Sequence, residues 1–392
     1  MDILKPRDAK DVEDAVQGAL GGGHTLDIVG RGTKRAIGRP SQSELTLDLS
    51  GLTGVTLYEP DELVLSARAG TPIAEIEALV AASGQELAFE PMDYGPLLGG
   101  PPDAGSIGGV LAANLAGPRR IKSGAARDHF LGVTAVSGRG ETFKSGGRVV
   151  KNVTGYDLCK LLAGSWGTLA VMTDVTLKTL PRAETEGSVL LRGLDAAAAV
   201  RAMAAAMGSS CDVSGAAHMR RDGWVTALRL EGVAPSVLHR QAALDALMRP
   251  FGKTEILGVQ DSRALWRAVR DVTPFAGDAR PLWRISTAPT AGPGLAAALC
   301  DAELIYDWAG GLIWAALPPG QDTRGDAGAA MARAAVAAAG GHATLIRAPA
   351  PVRAAVAVFD AQDAGVAALT RRVKEGFDPK GILNPGRMWA GV

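Results

Sequence analysis

The stretch that decides the fold reads Asn152-Val153-Thr154-Gly155-Tyr156-Asp157-Leu158-Cys159-Lys160-Leu161-Leu162-Ala163-Gly164-Ser165-Trp166-Gly167-Thr168-Leu169-Ala170-Val171-Met172-Thr173-Asp174-Val175. A short apolar helix, 158–163, is expected to run into Gly-Ser-x-Gly-Thr and then directly into a β-branched strand. Permissive glycines and exposed amides then lie beside a buried strand, where a backbone can press flat against a large ligand. Two further glycine-rich turns, Val29–Gly38 and Gly105–Ala113, precede it.

The first of these turns, Val29-Gly30-Arg31-Gly32-Thr33-Lys34-Arg35-Ala36-Ile37-Gly38, follows an apolar run over 25–29 that reads as a strand. Successive amides in such a turn form a concave anion site, to which Lys34 and Arg35 add positive charge. This suits a pyrophosphate, although an ordinary surface turn has the same composition. The turn is neither a dinucleotide fingerprint, which continues to a third glycine, nor a P-loop, which closes on Gly-Lys-Ser/Thr. The second turn, Gly105-Ser106-Ile107-Gly108-Gly109-Val110, enters a helix of small residues. There it serves close backbone approach to a phosphate, or only tight helix packing.

The 392 residues carry 41 Lys+Arg against 41 Asp+Glu, so no basic face favours nucleic acid. Length predicts two or three domains, because single cores stop growing near ~250–300 residues. The 3 cysteines (Cys159, Cys211 and Cys300) lack ligand spacing, which excludes an iron–sulfur cluster held by this chain alone. The five histidines (His24, His129, His218, His239 and His342) show no metal-ligand pairing, so no metal site is expected. The Ala-rich runs at 196–207 and 326–339 are too short and too interrupted to span a bilayer. Met1–Pro6 lacks a basic start followed by an apolar run, which points to the cytoplasm.

The first ~180 residues alternate strand and helix. Beyond Pro181-Arg182 the pattern becomes strand 188–192, helix 194–207, strands 211–217 and 224–230, helix 234–249 and strand 254–258. A linking helix, 262–271, precedes a second βαββαβ run: strand 282–287, helix 293–300, strands 303–308 and 311–317, helix 326–339 and strand 342–347. The expected class is α+β: a two-part α/β domain at 1–181, then an antiparallel sheet with covering helices at 182–362. A helix and turn-rich tail at 363–392 return to the first domain. The two repeats form one continuous sheet or two packed ones. Trp224, Trp283, Trp314 and Trp266 read mostly as core. Arg229, Arg284 and Arg347, on or beside strands, are equal candidates to hold an anion.

Gly30–Lys34, Ser106–Asn114, Ser123-Gly124 with Arg127-Asp128, and Gly164–Val171 together resemble the FAD-binding domain of the p-cresol methylhydroxylase and vanillyl-alcohol oxidase type. The tail Asp378-Pro379-Lys380-Gly381-Ile382-Leu383-Asn384-Pro385-Gly386-Arg387 resembles the carboxy-terminal signature of its 2-hydroxy-acid-oxidising members. Within that family, Lys151–Asp157 and the overall length look like the E-type subunits of bacterial glycolate oxidases. The resemblance implies FAD and oxidation of a small 2-hydroxy acid such as glycolate. It also implies a larger FAD-linked partner subunit and an iron–sulfur subunit, through which the chain could be membrane-associated. An accessory role, with the substrate site on the partner, is the alternative.

The implied roles fall on specific positions. The turn Gly30, Arg31, Gly32, Thr33 and Lys34 would hold the pyrophosphate. Ser106, Gly108 and Gly109 would meet phosphates or the isoalloxazine. Asn114, Gly124, Asp128, Gly167 and Val171 would complete the cofactor site, with Asn384 and Arg387 reaching it from the tail. Two departures stand out. No His occurs at 31–35 to attach the flavin, which implies non-covalent FAD, and Trp166 stands where many relatives carry Glu. No catalytic base is identifiable.

Overall fold

Val12, Val16 and Ala19, spaced four and three residues apart, form the buried stripe of the helix Ala9–Gly22. The Asp8 side chain accepts from the Asp11 amide at its start, and Gly23, at φ 68°, closes its end. The stripe packs on β2 (Leu26–Val29) and β3 (Leu45–Asp48), which with β1 (Asp2–Leu4) make a parallel sheet in the order β1-β3-β2. The computed structural model describes residues 2–149, 155–299, 301–318 and 325–392; residues 152–154 of the deciding stretch, Lys151 and Cys300 lie outside these. By contacts the chain divides into unit 1 (Met1–Ala116, Gly124–Arg182, Ala361–Val392) and unit 2 (Gly117–Ser123, Ala183–Asp360).

The rest of unit 1 is antiparallel. Strands β4 (Val55–Glu59) and β5 (Val64–Arg68) precede a short β6 (Gln85–Glu86), β7 (Phe130–Ser137), β8 (Thr142–Gly146), β9 (Ala170–Lys178) and β10 (Leu180–Pro181). Five of them form the sheet β4-β5-β9-β7-β8, and β6 pairs with β10. Val136 of β7 and Val171 of β9 share one core with Val12, Leu26, Leu47 and two residues of the tail, Ile382 and Leu383.

That tail runs along the other edge of β2. The Leu26 amide donates to the Ile382 carbonyl (2.7 Å), the Asn384 amide donates to the Leu26 carbonyl (2.9 Å), and Leu26 bridges Leu383 in parallel. Two prolines and several turns prevent a regular strand here, so a buried ion pair holds the segment instead. Lys374, at the end of the helix Ala364–Phe377, donates from Nζ to Asp378 Oδ2 (2.7 Å) and to the carbonyls of Thr168 (2.6 Å) and Leu383 (2.8 Å). Asp378 accepts from the amides of Ile382 (3.0 Å) and Leu383 (2.8 Å). Both side chains are buried; the ammonium donates three hydrogen bonds and both carboxylate oxygens accept.

Unit 2 contains β11 (Thr185–Arg192), β12 (Gly215–Arg220), β13 (Trp224–Gly232), β14 (Thr254–Leu257), β15 (Leu282–Ser286), β16 (Glu303–Asp307), β17 (Leu312–Ala316) and β18 (His342–Arg347). They form one continuous sheet, β14-β11-β13-β12-β16-β17-β15-β18, antiparallel throughout. Each half is one βαββαβ unit, and the two halves of the sheet pair through His218↔Tyr306 and Met219↔Ile305. The helices of the two repeats lie on one face, over Val189, Leu191, Leu228 and Leu230 in the first half and Trp283, Ile285, Ile313 and Ala315 in the second, while the linking helix Val259–Arg270 packs on the other, where Trp266 Nε1 donates to Ser188 Oγ (2.8 Å).

Two elements start later than the sequence pattern suggests. Asp212, at φ 55°, turns the chain, so Cys211–Ser214 packs as a loop and β12 begins at Gly215. Ala327 (φ 56°) and Gly328 (φ 72°) likewise delay the Ala-rich helix to Ala329–Ala339. Among the described residues no helix is long and apolar enough to cross a membrane.

Removing one member of the Lys374–Asp378 pair strands a buried charge, a loss of about 3–5 kcal/mol. Lys374→Met should therefore lower the denaturation midpoint and expose the tail to proteolysis. A joint Lys374→Met/Asp378→Leu change should not recover it, because two amides still lose their acceptor. Chemical denaturation with limited proteolysis checks both, and a wild-type midpoint in either variant contradicts the anchoring role.

Candidate functional site

The turn after β2 is shaped by how closely it approaches the start of the helix Ile107–Ala112. A Cβ at Gly30 would lie 2.5 Å from Ser106 Oγ, so any side chain here must displace the hydroxyl that caps the helix Ile107–Ala112. Within the turn, Arg35 donates to the Gly32 carbonyl (3.1 Å) and Ile37 to the Lys34 carbonyl (3.0 Å). Among the described residues no backbone carbonyl accepts from the amides of Arg31, Gly32, Thr33 or Lys34. These four donors, next to a cation, make an anion-binding concavity. The Lys34 ammonium donates to Thr33 Oγ1 (3.1 Å). Burial and the nearby Arg387 guanidinium lower its pKa to about 8, against the pull of Asp93.

The second turn packs beneath the first. Ser106 caps the helix Ile107–Ala112 by accepting from the Gly109 amide, and the Gly108 amide donates to the Ala69 carbonyl (2.8 Å). A Cβ at Gly108 would sit 2.8 Å from that carbonyl oxygen, so this glycine lets the helix reach β5. The third turn docks on the second: the amides of Gly164 and Trp166 donate to the carbonyls of Leu111 (3.1 Å) and Ala112 (2.9 Å). Trp166 adopts φ 54°, a left-handed conformation that costs a non-glycine residue about 1–3 kcal/mol. Asn384 fixes that turn from behind, donating from Nδ2 to the Trp166 carbonyl (2.7 Å) and accepting at Oδ1 from the Ile28 amide (2.7 Å). Arg387 donates to the Lys34 carbonyl (3.0 Å) and lays its guanidinium 5.6 Å from the centre of the Trp166 ring.

The three turns and the tail enclose a cleft with two lobes. The charged lobe is lined by the 28–35 turn, Ser106, Gly109, Trp166 and Arg387. The apolar lobe is walled by Leu49, Ala69, Ala170 and Met172 with Gly108 and Gly167. Ile28, Gly30, Ser106, Gly109, Ala112 and Trp166 line both lobes. A long ligand with an anionic centre and a flat apolar end matches this pair of cavities.

Of the residues singled out in the sequence, Gly30, Arg31, Gly32, Thr33, Lys34, Ser106, Gly108, Gly109, Gly167 and Arg387 line the cleft. The others do not. Asn114, at φ 48°, accepts from the Arg127 amide (2.9 Å), and Asp128 wraps Gly124 while accepting from the Ala125 amide (2.8 Å). Val171 is fully buried in the core, and Asn384 acts from behind the wall. Sequence reasoning missed the apolar lobe, because Ile28, Leu49, Ala69, Ala170 and Met172 look like any core residues. Trp166 was visible only as a departure from Glu.

The histidines bring no base into this cleft. His129 is buried against Phe89, 5.3 Å between ring centres. His218, in unit 2, stacks on Trp224 and holds Thr226 Oγ1 at 2.9 Å; burial drops its pKa to about 4. Among the described residues no group of three or more His, Cys, Asp or Glu could hold a metal ion.

Comparisons with known proteins agree with this geometry. A family model described as an FAD binding domain matches residues 3–146, and one described as the C-terminal domain of FAD linked oxidases matches residues 358–388. The glycolate oxidase subunit GlcE of Escherichia coli K12 is 35% identical, over 93% of this chain and 93% of its own length. The chain belongs to this family. The glycolate oxidase subunit GlcD of Bacillus subtilis 168 is 29% identical over 50% of the chain and 41% of its own. In fold the chain is similar to p-cresol methylhydroxylase, with a TM-score of 0.73 at 14% identity over 100% of this chain and 88% of that one. A 4-ethylphenol oxidase from Gulosibacter chungangensis gives 0.74 at 14% identity, over 99% and 89%. The chain is an FAD-linked oxidoreductase and its cofactor is FAD.

The cleft lining is compatible with that cofactor: four amides, Lys34 and Arg387 would face a diphosphate, and the apolar lobe would face a ring. Two outcomes are expected. A bound diphosphate raises the Lys34 pKa, so FAD affinity should hold steady below pH 8 and fall above it as the free ammonium loses its proton. Lys34→Met should weaken binding about 10- to 100-fold, one charged hydrogen bond, and abolish that dependence. Flavin fluorescence titrations from pH 6.5 to 9.5 read both, and a flat wild-type profile contradicts the role of Lys34. Gly30→Ala should lose FAD by its clash with Ser106 Oγ, and Ser106→Ala in the same chain should restore it. Equal FAD content in all three proteins would show that the approach is not tight.

Proposed function

We propose that this chain is the FAD-binding subunit of a complex that oxidises glycolate, or another small 2-hydroxy acid, to the 2-oxo acid. The observation that carries the reading is the two-lobed cleft, in a chain 35% identical to GlcE over nearly its whole length. When bound, FAD supplies a two-electron acceptor, and orientation and electrostatics are left to the protein. The free amides at 31–34, Lys34 and Arg387 bind the diphosphate. Ser106 and the glycines beside it let the backbone approach, and Trp166 forms the wall common to both lobes. In this reading the FAD is held non-covalently; among the described residues the cleft lining includes no His, Cys or Tyr.

Oxidation removes a hydride from C2 of glycolate and a proton from its hydroxyl, giving glyoxylate. That proton needs a base, and neither cleft histidine nor metal cluster among the described residues supplies one. A larger FAD-linked partner of the GlcD kind, with an iron–sulfur subunit to carry electrons onward, completes the reaction in this reading. The purified chain should show an oxidised-flavin spectrum, with FAD released by acid. Anaerobic glycolate should bleach it only in the presence of the partner subunits. A chain that cannot take up FAD overturns the proposal, and full bleaching of the isolated chain removes the need for the partner.

A further inference from the structure

Trp166 is held in a backbone conformation that its side chain disfavours. At φ 54° it lies in the left-handed region, where glycine is at ease and a bulky residue is strained. The same turn already has Gly164 (φ 84°) and Gly167 (φ 74°), so a further glycine at 166 would relieve it at no steric cost. The surroundings instead hold the strained residue in place. Its amide donates to the Ala112 carbonyl (2.9 Å), its carbonyl accepts from Asn384 Nδ2 (2.7 Å), and the Arg387 guanidinium lies 5.6 Å from its ring centre. Strain over-determined by its neighbours collects where a ligand is held.

The residue also stands where the two lobes of the cleft join. Ile28, Gly30, Ser106, Gly109, Ala112 and Trp166 line both. The first five offer an aliphatic chain, two bare backbones, a hydroxyl and a methyl. Among the described residues Trp166 is the one aromatic side chain in the lining of either lobe. Because its amide and carbonyl are both bonded into the protein, the part of Trp166 left to line the cleft is the indole. A ligand that reaches from the charged lobe into the apolar one must pass that ring.

We propose that Trp166 is a flavin-positioning residue: its indole packs against the bound cofactor where the apolar lobe meets the charged one, and Asn384 and Arg387 hold it there. The inference rests on the FAD reading of the cleft and adds to it the side chain that fixes the ring. An indole face offers an isoalloxazine a large dispersion contact, with the offset or edge-on geometry that aromatic pairs prefer. The contact also has an optical consequence. An electron-rich indole lends an electron to the light-excited flavin and takes it back, so emission is lost and neither group is changed. A tryptophan that served only the turn would leave no such mark.

The test is time-resolved flavin emission of the full FAD-loaded chain, with FAD content read by absorbance after acid release. Wild-type emission should be short-lived. Trp166→Phe keeps an aromatic face that is a poorer electron donor, so it should retain FAD while its emission lengthens. Trp166→Gly suits the left-handed backbone and should fold; it should emit for as long as the Phe variant and bind FAD about tenfold more weakly, the loss of one aromatic pair. Equal lifetimes in wild type and both FAD-loaded variants overturn the proposal, as does wild-type FAD affinity in Trp166→Gly. Failure of the wild-type chain to take up any FAD overturns the FAD reading itself, and is told apart by the absorbance measurement.

Discussion

The cofactor cleft depends on one buried cation. Lys374 neutralises Asp378 and, with the same ammonium, holds the carbonyls of Thr168 and Leu383, one from the third glycine turn and one from the tail. Placing an ammonium in a core is costly unless all its protons are used, and here they are. The ion pair thereby sets the spacing between tail and turn to which every later contact is referred: Asn384 between Ile28 and Trp166, then Arg387 against Lys34 and Trp166. The glycines supply the shape of the cleft, and the ion pair keeps that shape closed.

The two units solve different problems. Unit 1 brings backbone amides to a ligand and therefore relies on turns, where the backbone is free of sheet and helix bonds. Unit 2 is built on a regular sheet, whose strand amides bond to neighbouring strands. That division explains the distribution of charge. In unit 1 the cleft cations are few, and burial lowers the pKa of one of them, Lys34, to about 8. In unit 2 Arg229, Arg284 and Arg347 stand on strands; Arg229 lies beside Glu231, Arg347 beside Asp278, and Arg284 against the rings of Trp308 and Trp314.

Much of this was legible in the sequence, for physical reasons that can be named. The two βαββαβ runs showed because each covered strand alternates and each covering helix repeats at helical spacing, and their strands fall within a few residues of those expected. The glycine turns showed because close approach excludes a side chain, as at Gly30 and Gly108. The apolar lobe did not show, since Leu49, Ala69 and Met172 differ from core residues only in what they face. Nor could periodicity distinguish Arg284 from Arg229 and Arg347, whose positions on strands are equivalent until neighbours from distant segments are in place. Asp212 and Ala327 moved two element starts because left-handed backbone at a non-glycine residue leaves no pattern in composition.

The bond from the Ile28 amide to Asn384 spans 356 residues of sequence. A ribosome delivers the diphosphate turn early and the residue that braces it very late, after all of unit 2 has emerged. Until then the nascent chain has glycine turns with no wall behind them. On the proposed reading, cofactor capture would be coupled to the arrival of the tail, and a chain clipped between Phe377 and Asn384 would keep most of its sheets while losing the brace behind the cleft. Loss of yellow colour in such a preparation would report proteolytic history, not a failure to fold.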